Sequence, residues 1–112
     1  MTIRRIAVLC VHTSPLDSFG GKKTGGMNIY VREMAREMGQ RGVQVDVFTR
    51  RQHPATPEVD SALGENVRVI QVPCGPPTPL DPDAVYEHIA QFTAGVIAFN
   101  TKTDGRRYDI VY

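Results

Sequence analysis

The residues best suited to chemistry lie between His12 and Asn28, in the stretch H-T-S-P-L-D-S-F-G-G-K-K-T-G-G-M-N. Four of the chain's ten glycines fall here, as the pairs Gly20-Gly21 and Gly25-Gly26. An apolar run precedes the stretch and an amphipathic one follows it. A strand, a glycine-rich loop and a helix start together can hold an anion. Glycine lets the backbone approach a ligand, and the first helical turn has N–H groups with no intrahelical acceptor.

Two familiar phosphate loops do not fit. A Walker A loop needs G-x-x-x-x-G-K-[ST], but Gly21-Lys22 is followed by Lys23, and Leu16 stands where the first glycine belongs. The dinucleotide fingerprint G-x-G-x-x-G fails on glycine spacing and loop length. His12, His53 and His88 are scattered, which leaves no triad or zinc site to assemble. His53 and His88 read as surface residues. His12 ends the first apolar run, at the edge where open α/β sheets bind ligands; it is either a ligand contact or a histidine bonded to nearby backbone. Gly25-Gly26-Met27-Asn28 is either a flexible loop with an asparagine N-cap or a phosphate site. The length of the loop and the adjoining helix start favour phosphate.

The elements that must position these residues follow from periodicity. Arg5 to Val11 reads as a buried parallel strand. Met27, Tyr30, Val31, Met34, Ala35 and Met38 recur at helical spacing over 27–41, with Gly42 placed for a left-handed cap. Arg32, Glu33, Arg36, Glu37 and Arg41 form the solvated face. Val43 to Thr49 is a second strand, so the first two strands should be parallel in a βαβ unit. Arg50 to Asn66 reads as a polar surface loop, Val67 to Val72 as a third strand, and the proline-rich 73–79 as irregular.

Asp81-Pro82-Asp83 predicts a helix start with an acidic cap. Val85, Ile89, Phe92, Val96 and Phe99 would be its core stripe. Tyr108 to Tyr112 is a fourth strand, and its position at the end of the chain suggests a truncated or proteolysed piece of a longer protein. The expected architecture is a Rossmann-like α/β three-layer sandwich with a parallel sheet. Counting strands along the chain, the expected order is 3-2-1-4. The last strand would present a raw edge, so edge-strand self-association or poor solubility is expected.

The 112 residues suit one domain, with 41% apolar and 22% charged residues. A net charge of +1 gives no electrostatic case for nucleic acid. No apolar run is long enough to span a membrane. Cys10 reads as a small core residue, and Cys74 lies in the proline-rich loop. Two such cysteines make neither a disulfide framework nor a metal-ligand spacing, and point to a reducing cytoplasm.

H-T-S-P-L, the glycine-bearing loop, G-G-M-N-I-Y-V and V-D-V-F-T-R resemble the start of retaining glycosyltransferases of the GT-B fold. More narrowly they resemble family 4 (group 1), the branch holding inositol-phosphate glycosyltransferases and sucrose-phosphate synthase relatives. N-V-R-V-I-Q-V-P-C-G-P, Q-F-T-A-G and Y-D-I-V-Y extend the resemblance over nearly the whole chain. It implies that residues 1–112 are the acceptor-side N-terminal domain. The reaction implied moves a glycosyl group from a nucleotide-sugar to a sugar, polyol or sugar-phosphate acceptor, with retention, no obligatory metal and no cofactor.

By the same resemblance, Gly26 would place its N–H near the donor diphosphate, and the loop ending at Asn28, with Gly25 and Met27, would meet acceptor phosphate or hydroxyl groups. His12 would line the acceptor pocket, and Ser14-Pro15 would shape the loop. Lys23-Thr24-Gly25-Gly26 is similar to the K-T-G-G of starch and glycogen synthases, which makes Lys23 a donor-pyrophosphate candidate. The inositol-phosphate enzymes carry an acceptor-holding lysine after the G-P turn, where this chain has Pro82, so the acceptor stays open. The histidine-tyrosine motif and the donor domain of the family lie beyond Tyr112, and the fragment alone is expected to be inactive. The alternatives are a non-catalytic α/β module for a phosphorylated ligand and a starch- or glycogen-synthase-like glucosyltransferase.

Overall fold

A computed structural model describes residues 3–12, 14–16, 26–103 and 107–112. Five strands form one sheet: β1 (Arg5–Cys10), β2 (Gln44–Arg50), β3 (Val59–Asp60), β4 (Val67–Val72) and β5 (Ile110–Val111), in the order β3-β4-β2-β1-β5. The four strands expected from the sequence are β1, β2, β4 and β5. They pair in the expected 3-2-1-4 order, all parallel.

Two features of the sheet correct the sequence reading. The segment 50–66 is not wholly loop: β3 pairs antiparallel with β4, Val59 opposite Ile70 and Asp60 opposite Val69, so the sheet is mixed. A two-residue edge strand carries too little alternation to register in a period-based reading. The last strand is also shorter than 108–112. Asp109 and Tyr112 nevertheless bond β1, their N–H groups donating to the carbonyls of Arg5 and Ala7 at 2.8 Å each.

α1 (Gly26–Gln40) covers one face of the sheet. Val31 and Ala35 are fully buried against Ile6, Val8, Val45, Val47, Val67 and Val69. The alternation along each strand sends Ala7, Phe48, Ile70 and Val72 to the other face, where α2 (Pro82–Tyr86) and α3 (Ile89–Thr103) lie. The result is three layers. α1 ends as its sequence predicts: Gly42 takes φ +88°, and the N–H groups of Arg41 and Val43 donate to the Met38 carbonyl. Gly39 is where α1 meets the 65–67 segment, since a Cβ there would fall 2.4 Å from the Glu65 carbonyl oxygen.

The helix expected from Asp81 is divided in two at Glu87-His88. The two residues between α2 and α3 shift the phase, so Val85, Phe92 and Phe99 are buried while Ile89 turns outward. Asp81 has the expected capping position, but its side chain makes no capping bond. Tyr30, expected on the core stripe of α1, is half-exposed, and Asn28 takes a core-facing place instead.

The last segment is tied to the first by a carboxylate. Asp109 accepts from the backbone N–H groups of Arg4 (2.7 Å) and Arg5 (3.0 Å), which hold its acid below the usual range. A depressed folded pKa contributes stability above the unfolded value of about 4, and this is lost as pH falls through the folded pKa. Urea midpoints of the Asp109→Asn variant and the parent should therefore differ at neutral pH and converge in acid. Parallel curves down to strong acid would contradict this linkage.

Candidate functional site

The carboxyl ends of β1, β2 and β4 define one edge of the sheet, and the start of α1 follows β1 there. Five sequence candidates lie at this edge, and two, Lys23 and Gly25, lie outside the described residues. His12 follows β1 and is exposed. Ser14 is buried, and its Oγ accepts from the Leu16 N–H at 3.1 Å in a local turn. Gly26 is the first residue of α1. Helix geometry leaves the first-turn N–H groups without intrahelical acceptors, and the dipole is positive there. Met27 is the next helical residue.

Asn28 is not an N-cap. It lies inside α1, its side chain 1% exposed. Residues 28, 31 and 35 share one helix face, so Asn28 continues the stripe of Val31 and Ala35 up to the sheet edge. A polar residue on that face is invisible to a hydrophobic pattern, which places it by default at the cap.

A small cavity of about 140 Å³ opens at the same edge, lined by Ser14, Leu16, Arg50, Gln52, His53, Thr56 and Gln71. Its polar side chains are hydroxyls, amides and an imidazole around one buried guanidinium, a lining suited to a hydroxyl-rich ligand. His53, read from the sequence as a surface residue, is exposed but belongs to this wall. Gln52, Thr56 and Gln71 carry no sequence signal. Arg50 has a weak one, as the charged residue closing an apolar strand.

A larger hollow of about 610 Å³ lies at the opposite, amino end of the strands, bounded by Arg4, Arg41, Gln44, Asn66, Arg107 and Asp109. Its charges are partly committed: Asp109 to the β1 backbone, and Arg41 to Glu37 at 3.0 Å. Open α/β sheets bind ligands at the carboxyl ends of their strands, which favours the smaller cavity as the site.

The two thiols do not bear on reactivity at this edge. Cys10 and Cys74 are free and buried, and burial pushes the Cys10 thiol up to about 11. Burial also raises the Cys74 thiol, with Arg50 opposing. Among the described residues no group of three or more His, Cys, Asp or Glu could hold a metal ion. Among the same residues no helix is long and apolar enough to cross a membrane.

A Rossmann-like α/β sheet with a helix starting on glycine at its carboxyl edge defines a class of ligand-binding domain. Residues 25–112 match the model of the glycosyl transferase 4-like domain, and the chain belongs to that family. It is 44% identical over 109 residues to the D-inositol 3-phosphate glycosyltransferase of Nocardiopsis dassonvillei, covering 96% of this chain and 25% of that protein. The enzyme of the same name from Corynebacterium urealyticum is 41% identical over 108 residues, with 96% and 25% covered. Among solved structures, sucrose-phosphate synthase from Thermosynechococcus elongatus superimposes with a TM-score of 0.82 at 30% identity, over 96% of this chain and 26% of that one. The chain thus spans about a quarter of the length of these relatives.

Proposed function

We propose that this chain is the acceptor-side N-terminal domain of a retaining glycosyltransferase with the GT-B fold. The full-length protein would transfer a glycosyl group from a nucleotide-sugar to a sugar, polyol or sugar-phosphate. The observation that carries the reading is the start of α1 at Gly26, on the sheet edge that also bears the polar cavity, in a chain of this family. As the glycosyl bond breaks, the departing nucleoside diphosphate gains negative charge. First-turn N–H groups set beside that charge lower the barrier without a metal. A second domain closing over this edge would exclude water and suppress hydrolysis. His12 and the segment ending at Asn28 are assigned to the acceptor side, and Gly26 and Lys23 to the donor. Pro82 stands at the start of α2, at the position where the resemblance implies an acceptor-holding lysine, so the choice among sugar, polyol and sugar-phosphate acceptors is left to the screen below. Two buried free thiols suit a cytoplasmic setting.

The test is to purify the full-length protein and screen nucleotide-sugars against sugar, polyol and sugar-phosphate acceptors. The anomeric configuration of any product is then read by NMR. Transfer with retention is expected. Binding of phosphorylated ligands without transfer from any donor would overturn the enzyme reading and leave a non-catalytic binding module.

Residues 1–112 alone should be inactive and should self-associate along β5, whose Val111 is 62% exposed. Sedimentation of that chain at high concentration should show a species heavier than the monomer. A clean monomer would refute it.

A further inference from the structure

Arg50 closes β2 and is 2% exposed, and it donates to carbonyls of a loop more than twenty residues away in sequence. Its Nη1 bonds the carbonyl oxygens of Cys74 (3.1 Å) and Pro76 (2.9 Å), and its Nη2 bonds that of Thr78. Nη1 also reaches the neighbouring Arg51 carbonyl at 3.3 Å. The loop needs such a partner. Four of residues 73–79 are proline, so the segment has more carbonyl acceptors than N–H donors to satisfy them. A guanidinium, with five N–H donors in a rigid fork, can answer several carbonyls at once.

The other side of the loop is held by the start of α3 and the turn before it. The Gly75 N–H donates to Gln91 Oε1 at 2.7 Å, and Cys74 Sγ lies 3.3 Å from the His88 carbonyl oxygen. Gly75 has φ +72°, and a Cβ there would fall 2.5 Å from the His88 ring, so this position accepts only glycine without rearrangement. The loop is therefore fixed on two sides, and the side chain that holds one of them also lines the polar cavity.

We infer that Arg50 is a positioning residue for acceptor recognition. Held by the Cys74, Pro76 and Thr78 carbonyls, its own side chain is preset as part of the cavity wall against which a hydroxyl-rich acceptor docks. This rests on the acceptor-side assignment made above. Without these bonds to the loop, the side chain at position 50 would have to be ordered during binding, and the ordering cost would fall on acceptor affinity rather than on the chemical step.

The experiment uses the full-length protein carrying Arg50→Lys or Arg50→Gln, the lysine variant serving as the milder change if the glutamine variant does not fold. Acceptor KM should rise roughly ten- to hundredfold, as expected for loss of charge-assisted hydrogen bonds, with the lysine variant at the lower end. The accompanying change in kcat should stay within about threefold, because ground-state positioning rather than the transition state is affected. Amide exchange at Gly75 and Thr78, both hydrogen-bonded in the loop, should quicken. Faster exchange with unchanged acceptor KM, or a fall confined to kcat, would overturn the inference. If the unsubstituted protein transfers nothing from any donor, the failure lies with the assigned activity. Exchange then decides alone whether Arg50 holds the loop, and unchanged rates reject it.

Discussion

Replacing Gly26 by aspartate in the full-length protein should lower kcat/KM for the nucleotide-sugar by about 10²–10³, the usual loss when a transition-state charge partner is spoiled. Gly26 opens α1, and in the proposed mechanism its lack of a side chain would let a diphosphate approach the first-turn N–H groups. A carboxylate there would oppose the leaving diphosphate and occupy its path. The choice of aspartate separates function from folding, because an acidic residue in the first turn is favourable to the helix by roughly 0.3–1 kcal/mol. The variant should thus keep its thermal stability while losing turnover. Steady-state kinetics beside a melting curve reads both. Unchanged kcat/KM would move the donor away from this helix, and the proposed mechanism with it.

The second large effect concerns the core. Asp46→Ala should destabilise the chain by about 3 kcal/mol, toward the low end of the range for breaking a buried charge pair. Asp46 lies in β2, 3% exposed, facing the α3 side of the sheet. Its carboxylate accepts two bonds from Arg68 on β4, Nε to Oδ1 at 2.8 Å and Nη2 to Oδ2 at 2.7 Å. It accepts a third from the Tyr108 hydroxyl at 2.6 Å, and the Arg5 guanidinium of β1 lies 3.9 Å away. One carboxylate thus joins β1, β2, β4 and the segment entering β5.

Aromatic rings complete the cluster. Phe48 meets Phe99 and Tyr108 edge to face at 5.8 and 6.2 Å, while Arg5 lies over the Tyr108 ring and Arg68 over that of Phe99. Loss of the carboxylate leaves two guanidiniums facing each other's charge. Arg5 is too buried to escape; Arg68, with about a third of its side chain exposed, can turn partly to water, which is why the low end applies. Tyr108→Phe removes one hydrogen bond and should cost only about 1–2 kcal/mol. Urea unfolding of both variants checks the ordering, and equal losses would mean that the carboxylate is not the centre of the cluster.

Much of the architecture was legible because it is encoded locally. Continuous β-branched runs mark β1, β2 and β4, the spacing of Val31, Met34, Ala35 and Met38 marks α1, and Gly42 marks its end; each signal needs only a dozen residues of context. Strand order followed as well, since right-handed crossovers between parallel strands admit few arrangements. The glycine-rich approach to α1 was visible for the same reason, as composition beside a helix start.

Tertiary structure alone decided the rest. Whether Asn28 caps α1 or lies within it depends on where the helix begins against the sheet, and a polar residue on a core face leaves no mark in a hydrophobic period. The pairing of Asp46 with Arg68 and Tyr108, and of Arg50 with the carbonyls of a proline-rich loop, joins residues 22 to 62 positions apart. A side-chain hydrogen bond depends on distance and direction in space, which residue type and spacing along the chain do not specify. The sequence could therefore say which main elements form and which end of the sheet to examine, while the polar cavity there exists only once the residues after β1, the ends of β2 and β4 and the 52–56 segment have been brought together.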